Sequence, residues 1–291
     1  MKYGEMTSGQ NKSGGFEAVQ VILCGAKEVE VKEKKFQKLF DEDGRRIPPI
    51  GLSSEVYDPK KKFKLIQPEI NYAERLERLI KFFPQGTKFV SADEFQSRCE
   101  ALLEQLRQNK LISNLLNGIY LPNCLPHFKI TDYGQDLEKS FLLAVANSYE
   151  DQFPKRKFHN YRKGELKMQV GIAEGNRHDQ LIAKMAEGPV VGIQFFPLQG
   201  YSILADRQQL STLPKSAILS GVVDMATAMV AYPDVLARDY NTPCYDCAAN
   251  FWQTTTYSLH FRAHDGKLAF GCETDLDSAD GCYSGGLLLL G

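Results

Sequence analysis

The stretch that decides the fold is CYDCAANFWQTTTYSLHFRAHDGKLAFGCE, residues 244–273. Its first two cysteines and its two histidines, His260 and His264, stand at C-x2-C-x12-H-x3-H, the spacing of a Cys2His2 zinc finger. In such a finger a helix carries both histidines, so that two imidazoles and two thiolates surround one ion. The secondary structure around the histidines therefore decides between a finger and a sheet.

The residues before and after the histidines are typical of a β-hairpin. Three threonines are followed by an alternation of apolar and polar residues that includes Leu259 and Phe261, a pattern that favours a strand. On a strand the two histidines would lie about 13 Å apart, at roughly 3.3 Å per residue, and could not share an ion. The Asp-Gly pair at 265–266 is a hairpin-turn signal. We therefore predict a hairpin here and not a finger.

A different zinc site stays open in the same region. Cys244 and Cys247 form a C-x2-C pair that could be joined by Cys272 and Cys282. The second pair is separated by nine residues, where a zinc ribbon usually has about two. The alternatives are a dithiol redox pair at Cys244 and Cys247, or reduced thiols in the core and loops. We therefore expect no cofactor, with zinc as the alternative at these four cysteines.

The segment that follows, ETDLDSADG at 273–281, is acidic. Glu273, Asp275, Asp277 and Asp280 offer the oxygen ligands that calcium prefers. Their D-x-D-x-x-D-G spacing departs by one residue from the EF-hand calcium loop, and the glutamate at loop position 12 is missing. The segment indicates either a calcium site or an acidic loop exposed to solvent.

Composition and charge exclude several classes of protein. With 43% hydrophobic and 24% charged residues in 291, the chain is typical of a soluble globular protein. Its formal net charge is −1, and residues 201–291 contain five Lys/Arg against ten Asp/Glu, so we expect no nucleic-acid partner. A basic, aromatic loop at 154–167 leaves a polyanion as the alternative. No run approaches 18 apolar residues, and we expect no secretory signal and no membrane association. Seven cysteines without such a signal favour the cytoplasm.

Helical and strand patterns alternate irregularly along the chain, which favours an α+β fold over a doubly wound one. We predict a mixed or antiparallel sheet with flanking helices and a C-terminal β-hairpin. The predicted helices cover 70–84, 91–108, 136–150, 179–188 and part of 216–233, and the predicted strands cover 16–25, 127–131, 189–196, 201–205, 253–263 and 267–274.

Residues 41–64 contain three prolines, two glycines and a basic run, as a linker would. We therefore predict an N-terminal extension over 1–65, with a short strand region and this linker, and a main α+β domain over 66–291.

One loop is the best candidate for a small-molecule site. Residues 171–180, GIAEGNRHDQ, lie between a predicted strand and a predicted helix and include Asn176, Arg177, His178 and Asp179. The first turn of a helix offers unpaired backbone amides to an anion. No Walker, G-x-S-x-G or H-E-x-x-H pattern occurs in the chain. These four residues are therefore candidate ligand-binding residues, and no catalytic residue is assigned.

From about Ile70 onward the chain resembles a family of bacterial proteins of unknown function. The motifs that carry the resemblance are Leu125-Pro126-His127-Phe128, PVVGIQFF at 189–196, AYPDVL at 231–236 and LAFGCE at 268–273. The family has tryptophans where this chain has Phe270 and Glu273. The resemblance implies a β-hairpin around His260 and brings no catalytic role with it.

These observations predict a cytoplasmic protein, most simply a binding or interaction module for an unidentified small molecule or protein. Two alternatives stay open. One is an enzyme whose site lies near the 171–180 loop. The other is a protein whose C-terminal part is a subdomain stabilised by zinc.

Overall fold

The computed structural model describes residues 38–58, 63, 65–239 and 241–291, and the strand predicted over 16–25 lies outside them. The described residues form an α+β fold, as predicted, with a mixed sheet, flanking helices and a β-hairpin in the C-terminal part. None of the described helices is long and apolar enough to cross a bilayer.

The helices lie mainly in the first two thirds of the chain. In chain order, α1 to α8 cover Tyr72–Phe82, Ala92–Gln108, Tyr133–Asp136, Leu143–Gln152, His178–Glu187, Ile203–Gln209, Val222–Ala231 and Pro233–Leu236. A π-helical segment, Leu137–Leu142, joins α3 to α4, and 3₁₀ helices cover Ser113–Asn117 and Leu210–Thr212.

The strands β1 to β10 cover Tyr120–Leu125, Lys157–Asn160, Val170–Ile172, Val190–Gln199, Ala217–Leu219, Cys244–Cys247, Asn250–Trp252, Ser258–His264, Lys267–Glu273 and Tyr283–Leu290. The main sheet has the order β1-β4-β10-β6-β8-β9-β2, and β5 also pairs with β10. The pairs β6–β10 and β2–β9 are parallel, whereas the other pairs are antiparallel. Strands β3 and β7 form a separate two-stranded sheet.

The first two helices confirm the sequence prediction closely. The Asn71 side chain accepts a hydrogen bond from the first turn of α1, and the Ser91 hydroxyl does the same for α2. Such caps satisfy amide donors that have no partner inside the helix. The buried stripe of α2 recurs at helical spacing and consists of Phe95, Cys99, Leu102, Leu103 and Leu106.

Helix α7 is the most deeply buried helix described, since all ten of its residues are buried. It packs against α1, α4 and β1. The Gly221 amide donates to Asp224 Oδ1 over 2.8 Å, which closes the first turn. The helix predicted within 216–233 therefore starts after Gly221, because residues 217–219 pair with β10 as β5.

The hairpin of β8 and β9 confirms the interpretation of the zinc-finger spacing. The two strands are joined by Asp265 and Gly266, with φ values of 48° and 69°. Positive φ at both central residues is the requirement of a tight hairpin turn. His260 and His264 lie on one strand, so the second half of a zinc finger does not form.

Two predicted strands are wrong. Within residues 201–205 helix α6 begins at Ile203, because the Ser202 hydroxyl accepts the Ala205 amide and caps the first turn. Residues 127–131 contribute only one bridge, between His127 and Lys88, and the strand of this region is β1.

The compact unit of the described residues begins at Lys38 and includes residues 38–58. This segment has the predicted loop character, but two of its side chains are buried. Phe40 is 1% exposed and Arg46 is 5% exposed. The Arg46 guanidinium donates to Gln209 Oε1, Thr212 Oγ1 and two backbone carbonyls. Burial of one apolar ring and of one cation that donates four hydrogen bonds holds the segment on the main domain.

Candidate functional site: an acidic cleft beside strand β6

Four positions lie side by side across the main sheet. Gly285 on β10 pairs with Asp246 on β6, Asp246 pairs with His260 on β8, and His260 pairs with Gly271 on β9. Residues opposite one another on paired strands extend their side chains from the same face of the sheet. One face therefore carries a carboxyl and an imidazole between two glycines.

The two glycines leave space for polar side chains. A Cβ on Gly285 would overlap Oδ2 of Asp206, which comes from α6. A Cβ on Gly271 would lie 3.3 Å from Nε2 of His260. The missing side chains thus allow the Asp206 carboxyl and the His260 imidazole to lie directly on the sheet.

Asp206 and Asp246 form a pair of buried carboxyls. Asp206 is 0% exposed and Asp246 is 2% exposed. Both carboxylate oxygens of Asp206 and Oδ1 of Asp246 have no hydrogen-bond partner among the described residues. A buried, unpaired charge is costly, and buried polar atoms in proteins are usually bonded. Two such groups together therefore require an explanation.

Burial raises the pKa of both carboxyls well above the ordinary value, and nearby negative charge adds to the effect. For Asp206 the additional charge is Asp246, and for Asp246 it is Glu273 and Asp280. Burial lowers the pKa of His260 to about 4, so its imidazole is neutral at pH 7. The site therefore holds protons more tightly than solvated carboxyls do, and its histidine carries no opposing charge.

Asp246 lines a cleft of about 170 Å³. Carboxylates dominate its described lining, which includes two tyrosines and no lysine or arginine. The lining residues are Tyr201, Ile203, Asp246, Glu273, Asp275, Ser278, Asp280 and Tyr283. Low-dielectric walls that carry charge of one sign concentrate the opposite charge, so the cleft is suited to cations.

The acidic loop that forms the rim is held by its own carboxylates. Glu273 Oε1 accepts from the amides of Thr274 and Asp275, and Asp275 Oδ1 accepts from the Ser278 amide. Asp280 Oδ1 accepts from the Cys282 amide. Each of these bonds uses one carboxylate oxygen to shape the loop. The negative charge at the rim is therefore fixed in position.

Two arginines lie near these carboxylates without lining the cleft. The Arg207 guanidinium, beside Asp206 on α6, donates to the backbone carbonyls of Ala248 and Asn250. Arg262 on β8 interacts electrostatically with Asp280 at the rim. No described hydrogen bond from either arginine reaches the buried carboxyls.

The calcium hypothesis receives partial geometric support. Glu273, Asp275 and Asp280 line one cleft, whereas Asp277 does not. Within the described part of the chain, however, no group of three or more His, Cys, Asp or Glu side chains is arranged to hold a metal ion. The acidic loop thus contributes three carboxylates to the cleft, but these are not arranged to coordinate a metal ion.

The four cysteines of the zinc hypothesis do not converge. Cys244 and Cys247 are three residues apart on β6, so their side chains leave opposite faces of the strand. Cys247 is separated from Cys272 by Leu259 on the intervening strand, a distance of about 10 Å at roughly 4.8 Å per strand. Cys282 is exposed in the loop before β10. Cys244 and Cys282 are neighbours, since the Cys244 amide donates to the Cys282 carbonyl, but strand alternation and register hold Cys247 and Cys272 apart. Among the described residues the four cysteines therefore do not form a zinc site.

The loop at 171–180 uses much of its polarity inside the protein. Asn176 is buried and donates to the carbonyls of Ala173 and Ala249, while its Oδ1 accepts the His178 amide. His178 is fully buried, and its Nε2 lies 2.8 Å from the Tyr133 hydroxyl.

The Arg177 guanidinium donates to four backbone carbonyls between residues 210 and 217. Asp179 is exposed at the start of α5. None of the four candidate residues lines the acidic cleft. A ligand at this loop, and an enzyme built on it, stay predictions.

Sequence patterns did not identify Asp206 or Asp246 as site residues. Asp246 stands between the cysteines of C-Y-D-C, where the spacing of the two thiols is the more familiar ligand pattern. The available signal was a carboxylate inside a strand of otherwise apolar residues, together with two glycines, 285 and 286, in an apolar strand. Only the register shows that the carboxylate and the first glycine are neighbours.

Comparisons of the chain with protein-family models, with curated proteins and with solved structures find no match. The resemblance to a bacterial family stays a prediction. Function is accordingly inferred from the chemistry of the cleft.

Proposed function

We propose that this chain is a binding protein whose ligand is a cation held in the acidic cleft. The observation that carries the proposal is the Asp246 carboxyl. It is 2% exposed, it lines the cleft, and its Oδ1 has no hydrogen-bond partner among the described residues. A cation in the cleft would supply the opposite charge that this buried carboxyl lacks.

The surroundings of Asp246 support this proposal. Glu273, Asp275 and Asp280 surround the entrance, and Asp206 lies behind Asp246. Desolvation of a carboxyl is offset when an opposite charge is bound in contact with it. A cation in the cleft would therefore stabilise two carboxyls that otherwise disfavour ionisation.

We also propose a cytoplasmic location and, following the resemblance, a bacterial origin. The buried thiols of Cys99 and Cys124 support a reducing compartment. A small ligand suits the volume of the cleft better than a protein surface does, although a single side chain of a partner protein could also enter it.

The test is isothermal titration of the full chain, without a histidine tag, at pH 8.5 and low salt. The probes are n-butylammonium, guanidinium, Ca²⁺ and Mg²⁺, each as its chloride. We expect at least one probe to bind, and Asp246→Asn to weaken that binding by about ten-fold or more, because a charged hydrogen bond is lost.

Asp277→Asn is the matched control, since Asp277 belongs to the same loop but does not line the cleft. It should bind as the unmodified chain does. Asp246→Asn should unfold at no lower temperature, because it replaces a buried ionisable group with a neutral one. Binding that survives Asp246→Asn unchanged, or the absence of binding for every probe, would refute the proposed function.

A further inference from the structure

The class of cation can be narrowed further, and this step rests on the proposed function. We propose that the ligand presents a primary ammonium group on an alkyl chain, with the ammonium at Asp246 and the chain directed toward the entrance of the cleft.

The arrangement of oxygen atoms disfavours a metal ion. Calcium takes six to eight oxygen ligands at about 2.3–2.6 Å, and magnesium requires near-ideal octahedral geometry. The described residues contain no group of three or more acidic, histidine or cysteine side chains so arranged. The carboxylates of Glu273, Asp275 and Asp280 instead hold amides of their own loop.

The size of the cleft favours an organic ligand. Its 170 Å³ is several times the roughly 30 Å³ that one water molecule occupies in the liquid. A bare ion would leave most of this space to water, whereas a short alkyl chain would fill it. Ile203 supplies an apolar wall for such a chain.

Aromatic rings in the lining add an attraction for ammonium. Tyr201 and Tyr283 both line the cleft. The ring of Tyr283 packs edge-on against the partly buried His260 ring, with the two ring centroids 5.8 Å apart, which fixes the position of Tyr283. The face of an aromatic ring attracts an organic cation, and more strongly where water is excluded.

The floor of the cleft distinguishes ammonium from guanidinium. A guanidinium is planar and is best held by two carboxylate oxygens at once, while an ammonium is a compact charge with three donors. Asp246 is almost fully buried, so a ligand has little access to both of its oxygens. A compact ammonium suits this single point of access.

The test compares the dissociation constants of n-butylammonium, guanidinium, Ca²⁺ and uncharged 1-butanol at pH 8.5. We expect n-butylammonium to bind most tightly and 1-butanol not to bind. Tyr283→Leu should weaken the binding of n-butylammonium by about five-fold, because the aromatic ring is lost. Tyr161→Leu, an exposed tyrosine outside the cleft, is the matched control and should have no effect.

A second binding measurement distinguishes a free amine ligand from the lysine side chain of a partner protein. Nα-acetyl-lysine-N-methylamide carries the same ammonium on a peptide unit. Binding of both compounds within about three-fold would support a free amine, and a tenfold preference for the lysine derivative would support a partner protein's lysine. Each result agrees with an ammonium ligand.

The inference and the proposed function fail in different ways. If Ca²⁺ or guanidinium binds more tightly than n-butylammonium and depends on Asp246, the ammonium assignment is wrong while cation binding stands. If Asp246→Asn changes the affinity for no cation, both are wrong.

Discussion

At the level of single residues, Gly285 and Asp206 compete for one volume. The Asp206 carboxyl lies where a Cβ on Gly285 would be, with its Cγ 2.7 Å from that point. Both groups are buried, and β10 lies between two neighbouring strands. A side chain at position 285 must therefore displace the carboxyl or the strand.

Gly285→Ala should lower the free energy of unfolding by about 1–3 kcal/mol, the usual cost of overfilling a packed interior. It should also weaken cation binding, because Asp206 lies behind Asp246. Urea unfolding and titration with n-butylammonium would measure the two effects.

Gly188→Ala is the control for this substitution. Gly188 ends α5 with extended backbone, φ 178°, and a Cβ there would meet nothing within 4 Å. Gly188→Ala should change the free energy of unfolding by about 0.5 kcal/mol at most. Equal costs at the two positions would contradict the packing argument.

At the level of elements, one arginine attaches residues 38–58 to the rest of the domain. The Arg46 side chain reaches Gln209 on α6 and Thr212 in the following 3₁₀ turn, and it also bonds the carbonyls of Leu39 and Ile47. Its own carbonyl accepts from the Tyr201 hydroxyl. These bonds link both ends of the turn at 39–47 to α6.

Arg46→Lys keeps the charge but cannot make the same set of bonds, because an ammonium has no planar fork of donors. We expect a loss of about 2–4 kcal/mol from buried acceptors left without partners. Hydrogen exchange should accelerate at the Leu39 amide, which donates to the Leu111 carbonyl, and at the Ile47 amide, which donates to the Leu39 carbonyl.

Arg107→Lys on the exposed face of α2 is the control, since that arginine makes only a surface pair with Glu104. Its effect should be within about 0.5 kcal/mol. Unchanged exchange at residues 39–47 in Arg46→Lys would show that the segment is held by other contacts.

At the level of the whole molecule, buried titratable groups make stability depend on pH in opposite directions. Burial raises the pKa of Asp224 to about 7 and lowers those of His178 and His260 to about 4. Asp224 therefore contributes stability that is present below about pH 4 and is lost as the pH rises toward 7. The two histidines destabilise the fold as the pH falls from about 6.5 toward 4.

Asp224→Asn removes the acidic contribution and keeps both histidines. The comparison is made above pH 4.5 because His178, whose Nδ1 lies 3.8 Å from Asp224 Oδ1, has a lowered pKa of about 4, below that range. The asparagine oxygen can still accept the Gly221 amide that Asp224 Oδ1 accepts. Between pH 4.5 and 7 the stability of the unmodified chain relative to this variant should fall by up to about 1.4 kcal/mol per pH unit. Urea unfolding at four pH values would measure the slope.

Asp93→Asn on the exposed surface of α2 is the control for removing one carboxylate. Parallel stability curves for the unmodified chain and Asp224→Asn across this range would contradict the assigned direction of the Asp224 pKa.

Much of the fold follows from patterns contained in short segments. The stripe of α2, the cap at Ser91 and the turn at 265–266 were each predictable, because each depends on residues within one or a few turns of chain. The wrong strand predictions at 201–205 and 127–131 also rest on patterns within one short segment. In the first, a capping serine outweighed an apolar alternation that also suits a strand.

The sequence by itself determined the fold class, the hairpin and the excess of acidic residues toward the C-terminal end. Only the tertiary structure brought Asp206 of α6 against Gly285 and placed Asp246 beside His260. The physical reason is the separation along the chain of the residues that interact. Periodicity, caps and turns act between near neighbours in the chain, whereas a cleft depends on strand register between segments tens of residues apart. A shift of one residue in that register would turn Asp246 to the other face of the sheet.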